Sequence, residues 1–152
     1  MAEIARRSGV GSATLYRNFP ARRDLLEALY VDEVDAVCAA ASTASGESAG
    51  DRFTAWLERF SQFVTSKHPI AAEMLGHVDR TSPVFGASRE RVVAAGTPLL
   101  RAAQDAGKVQ AGLSLDQILD MIVALGKIPG GPAYAQPILR TALSGLSHPP
   151  AR

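Results

Sequence analysis

"GVGSATLYRNFP", residues 9–20, decides how this chain is read. Gly9 can take the positive φ that a tight turn needs. The residues before it, 2–8, have the length of a short helix ending at Gly9, and Ser12 to Asn18 form a second one stopped by Pro20. Two short helices joined by a glycine turn are the ingredients of a helix-turn-helix, in which the second helix enters the major groove of DNA. Ala5 is small where two such helices must approach closely. Ile4, Val10 and Leu15 are expected to close a miniature core beneath the turn.

The second helix carries matching chemistry. Ser12 and Ala13, at its N-terminus, suit base edges: a hydroxyl donates or accepts, and a methyl packs on thymine. Arg17, one turn later, suits a bidentate contact to guanine, while Thr14, Tyr16 and Asn18 suit phosphate oxygens, with Arg22 adding charge beside them. Phe19 is expected to pack inside the small unit. Residues 1–23 hold five arginines against Glu3 alone, and residues 24–35 hold five acids and no base, although the formal net charge is only +1. A basic head followed by an acidic stretch favours a phosphate-facing N-terminus. Charge by itself does not separate that surface from an ordinary solvated one.

Outward from the head, apolar positions recur at helical spacing and strand-like alternation is missing, so the fold class is all-α. A helix from about Arg22 to Ala41 carries Leu26, Leu29, Tyr30, Val34, Val37 and Ala41 along one stripe, and it is long enough to join two parts of the molecule. "STASGESAG" (42–50) reads as a loop from which Ser48 and Asp51 open the next helix as a capping box. That helix is expected to reach about Lys67, a shorter one to follow "HP" from Ile70 to Val78, and "TSP" (81–83) to start a segment bent at "GTP" (96–98). Ser114 and Gln117 make another capping box for a helix through Leu125, and residues 133–146 form the last helix after "GKIPGGP". The expected domains are a head over 1–30, a helical body over 31–147 and a tail over 148–152.

These residues resemble a known family. "IARRSGVGSATLYRNFPARRDLLEAL", residues 4–29, is similar to the helix-turn-helix signature of the tetracycline-repressor (TetR/AcrR) family of bacterial transcriptional regulators, above all in "TLYRNFP" and the leucine-rich helix after it. "LLRAAQDAGKVQAGLSLDQILDMIVAL", residues 99–125, is similar to the region before and within that family's dimerising helices. The resemblance implies a homodimer that binds a palindromic operator, usually as a repressor, and releases it when a small apolar effector enters the body. It also implies a helix of about four turns ahead of the helix-turn-helix. Met1 falls where the second helix should begin, so the expectation is that the true start lies upstream.

Carried onto this chain, the resemblance places a ligand pocket among Phe53, Trp56, Phe60, Phe63, Met74, His77 and Met121, whose aromatic and thioether side chains make an adaptable apolar wall. For any one of these side chains a packed core is the plainer reading. Dimerisation would use the stripes Leu115, Ile118, Leu119, Ile122 and Ile138, Leu139, Leu143, Leu146, pairing with their copies in a four-helix bundle unless they face the chain's own core. Glu73 and His77 share a helix face, and with His68 they could supply polar contacts, but without a fixed motif they set no metal site. No metal or other cofactor is expected. Cys38, the single cysteine, reads as a buried thiol.

No apolar run approaches the ~20 residues of a membrane span, and "MAEIARRSGV" lacks the apolar core of a signal peptide, so a cytosolic protein is expected with no membrane partner. No nucleophile elbow, phosphate loop or metal motif is present, which argues against an enzyme. The function expected is a ligand-responsive DNA-binding regulator. The competing reading is a dimeric small-molecule-binding module whose head does not bind DNA specifically.

Overall fold

Helical periodicity becomes seven helices and no strand among the described residues of the computed structural model, which describes residues 1–77 and 83–147 and the side chains of these outside 67–77. They are α1 (Ala2–Ser8), α2 (Ser12–Asn18), α3 (Arg22–Thr43), α4 (Ala49–His77), α5 (Pro83–Asp105), α6 (Leu115–Gly126) and α7 (Pro132–Ser144). The α1 and α2 pair forms the head. Connector α3 packs on α4 and α5, these two pack on each other, α6 lies against both, and α7 lies against α6.

The helix starts follow the capping logic of the sequence. The Ser114 hydroxyl accepts from Gln117 N while Gln117 Oε1 accepts from Ser114 N, and Ser48 and Asp51 exchange the same pair of bonds at the start of α4. Each reciprocal pair satisfies two backbone donors that the first turn leaves without partners. The head's turn is made as expected, with Gly9 at φ 69°. A Cβ there would meet nothing within 4 Å, so backbone conformation, and not space, calls for glycine.

The core is one cluster that draws Val34 and Val37 from α3, the Phe53 to Phe63 face from α4, Val92 and Leu100 from α5, and the α6 stripe. Trp56 sits at its centre. Its indole Nε1 donates to Val37 O of α3 at 3.0 Å, and its ring lies so close to α5 that a Cβ on Gly96 would fall 2.1 Å from Cη2. Three helices thus meet on one side chain, and only glycine fits opposite it.

Several expectations are corrected. The break at "HP" is not made: α4 runs through His68 and Pro69 to His77, since a proline removes one donor without ending a helix whose remaining bonds are intact. Helix α5, expected as one segment, does run through Pro98 to Asp105. Val10 is 42% exposed, leaving Ala5 and Leu15 as the buried residues of α1 and α2. Leu29 is 43% exposed, and Leu25 is buried beside Leu26 instead. The expected cap at "TSP" involves Thr81 and Ser82, and the tail is 148–152; both lie outside the described residues.

Candidate functional site

In the head, the sequence dictates which side chains are free. Helix α2 is short and buries Leu15 alone; Ser12, Ala13, Thr14, Tyr16, Arg17 and Asn18 are all exposed, and Phe19 is half-buried as expected. Asn18 Nδ2 donates to Thr14 O at 2.9 Å, which holds the amide along the helix. Arg17 reaches Thr14 Oγ1 only at 3.4 Å, a weak tether that leaves most of its guanidinium donors open. Arg22 is exposed at the first turn of α3, close in sequence to the end of α2. Hydroxyls, an amide, a phenol and the Arg17 guanidinium therefore share one solvent-facing helix.

The arginines of α1 are engaged differently. Glu3 accepts from Arg6 Nη2 at 2.6 Å and from Arg7 Nε at 2.9 Å, and Arg6, then Arg7, hold its carboxyl below the ordinary range. On α3, Arg23 pairs with Glu27 at 2.8 Å. The basic charge of the head is thus partly neutralised on α1 and least constrained around Arg17.

The residues of the expected pocket wall lie in the body. Phe53, Trp56, Phe60 and Phe63 are all buried and follow one another along α4, the first three rings stacked with centroids 6.3 and 6.3 Å apart and the last tilted at 5.9 Å. Met121 is half-buried against the same core. The side chains of Glu73, Met74, His68 and His77 lie outside the described residues. The four aromatics face α3, α5 and α6 as core, where the resemblance had placed a ligand. Tyr30 of α3 joins them, 5.8 Å from Phe63 and 5.3 Å from Phe85 at the start of α5, and burial pushes its phenol up.

The expected dimer stripes divide. Leu115, Ile118, Leu119 and Ile122 are buried within the single chain, so the α6 stripe serves the chain's own core and not a partner. On α7 Leu143, and just past its end Leu146, are also buried and Leu139 packs beside them, while Ile138 is half-buried. The outward face of α7 carries Tyr134, 60% exposed, with Pro137 and Thr141. The outward face of α6 is polar: Arg89 of α5 bridges Asp116 at 2.8 Å and Asp120 at 2.9 Å. Connector α3 is tied to the body by Glu33 with Arg59 at 3.5 Å and by Asp35 with Arg91.

One feature that the sequence did not reveal is a half-open groove of about 440 Å³ where α7 diverges from α4, walled by Glu58 and Gln62 of α4 and Gln136 and Arg140 of α7. Its floor includes Leu125, Leu139 and Leu143. The helical spacing of 136, 139, 140 and 143 was the available signal, but its meaning depends on where α4 lies. Among the described residues no three His, Cys, Asp or Glu side chains come together as a metal site, and no helix is long and apolar enough to cross a membrane.

An exposed second helix after a glycine turn, carried on an all-helical body, defines the helix-turn-helix class of DNA-binding regulators. Residues 1–29 match the family model described as bacterial regulatory proteins, tetR family, and residues 48–148 match that of the transcriptional regulator SbtR-like, C-terminal domain. Among solved structures, the TetR transcriptional regulator SCO0520 from Streptomyces coelicolor is 33% identical with a TM-score of 0.80, over 97% of this chain and 86% of that one. A bacterial regulatory protein in the tetR family from Rhodococcus RHA1 shares the fold, at 18% identity and a TM-score of 0.64, with the same shares of each chain covered. No curated protein matches. The chain belongs to the TetR family of transcriptional regulators.

Proposed function

We propose that the protein is a homodimeric, ligand-responsive repressor that binds a palindromic operator through α2. The observation that carries this reading is the division within α2: Leu15 is its one buried residue, and every polar side chain it has faces solvent. Ser12, Ala13 and Arg17 read base edges; Thr14, Tyr16, Asn18 and Arg22 hold phosphates. A two-fold pair of such heads meets half-sites about one DNA turn apart or a multiple of it. The second copy packs against the outward face of α7, around Tyr134 and Ile138. A small molecule bound by the body releases DNA by favouring a spacing of the heads that no longer fits, and α3, fastened to α4 and α5 by its ion pairs, carries the change.

Selection from a labelled random-sequence DNA library tests this directly. The expected product is a palindrome whose binding weakens steeply with salt, because phosphate contacts release counterions. Retention of no sequence, with no salt dependence to lose, returns the chain to the second reading, a binding module with a silent head. That reading draws on Glu3, which already pairs with both Arg6 and Arg7 and offsets part of their charge.

A further inference from the structure

We infer that the groove between α4 and α7 is a binding site for a small amphiphilic zwitterion, an apolar body bearing one anionic and one cationic group. A volume of about 440 Å³ lies within the range of about 300–1,000 Å³ that small-molecule sites occupy. The floor is apolar and is set by packing: Gly126, at the end of α6, lies so close to α4 that a Cβ would meet Val64 Cγ1 at 2.6 Å. Above this floor stand one carboxylate, Glu58, and one guanidinium, Arg140, neither of which forms an ion pair among the described residues. Arg59, Arg89 and Arg91 of the body are held by carboxylates, whereas the groove sets one carboxylate and one guanidinium, of opposite charge, above a shared apolar floor.

The occupant follows from that lining. An anionic group answers Arg140, an ammonium answers Glu58, and the apolar body covers Leu125 and Leu139. Helix α7 keeps this site apart from the proposed dimer contact. Ala135, Gln136, Leu139 and Arg140 line the groove, while Tyr134, Ile138 and Thr141 occupy the opposite side of the same helix. The inference goes beyond the regulator reading, because binding in the groove requires no DNA.

Fluorescence titration of the full chain with Nε-dansyl-lysine, a zwitterion with an apolar ring system, tests it, with dansylamide as the probe lacking both charges. Saturable binding of the zwitterion is expected, weakened about tenfold by Arg140→Gln or Glu58→Gln and abolished by Ala135→Trp, which fills the groove from a helix face that need not refold. Equal binding of dansylamide, or indifference to both charge variants, would overturn the inference by reducing the groove to an apolar patch. Sedimentation of the same variants supplies the other outcome: if Ala135→Trp dissociates a dimer and leaves probe binding unchanged, a second copy occupies the groove and the inference fails.

Discussion

The head and the body use the same building material in opposite ways. Helix α2 buries Leu15 and leaves its polar side chains outside, whereas α4 directs Phe53, Trp56, Leu57, Phe60 and Phe63 into one cluster. A recognition element must keep its hydrogen-bonding groups available to a partner, so little of it can contribute to a core. The body's helices meet each other over long interfaces and can stabilise themselves. Function is therefore displayed in the head and stability is concentrated in the body, with α3 belonging to both.

The sharpest way to break that contrast is Trp56→Ala. It removes the ring facing Gly96 and the indole donor to Val37 O, and it should cost about 3–5 kcal/mol of stability. Urea denaturation followed by circular dichroism measures it. A loss below ~1 kcal/mol would mean that the centre of the body is loosely filled and could admit a ligand after all. The counterpart in the head is Arg17→Ala, exposed and weakly tethered, which should leave the denaturation midpoint unchanged yet cost about 1–3 kcal/mol on the selected operator and relax its sequence preference. Equal loss on random DNA would make Arg17 a phosphate contact.

The same contrast explains what could be read from sequence. The head was legible because each step has a local cause: a glycine at positive φ, a proline beyond the helix end, and polar residues on an element too short to bury them. The helical class and both capping boxes were legible for the same reason. The roles of the apolar faces were not. Periodicity assigns Trp56 and Ile118 to a face but does not say whether that face meets a ligand, a second copy or the chain's own core. The answer lay in Gly96, far along the sequence, whose missing side chain makes room for the indole. Leu29 misled because its spacing continues the α3 stripe, yet it is the neighbouring Leu25 and Leu26 that are buried. The groove needed Glu58 and Arg140 to line one space between two helices that the sequence does not align.

Smaller effects test whether the body's stability reaches its helix ends. Ser114→Ala removes the hydroxyl that accepts from Gln117 N and should cost about 1 kcal/mol, read in the same denaturation curves. A negligible change would place the start of α6 under the control of packing around Leu115 and Ile118 alone.

Asp51 sharpens the point further because its contribution carries a pH signature. The Ser48 hydroxyl, then the Ser48 backbone N–H, hold its carboxyl below the ordinary range. A carboxyl depressed in the folded state adds stability that is present above the unfolded value of about 3.9 and is lost as pH falls through the folded value. Asp51→Asn should therefore lower Tm slightly at pH 6 to 7, with the difference shrinking as acid protonates the wild-type group. The effect is small because Asp51 is exposed to water. A Tm difference independent of pH would assign the cap's value to the shape of the turn and not to its charge. In the head, Glu3 is depressed in the same direction by Arg6 and Arg7, but acid there also frees two arginines. Hydrogen exchange of α1 beside the α4 start would then show acid loosening the head first, since α1 has one buried residue to hold it and α4 has the whole core.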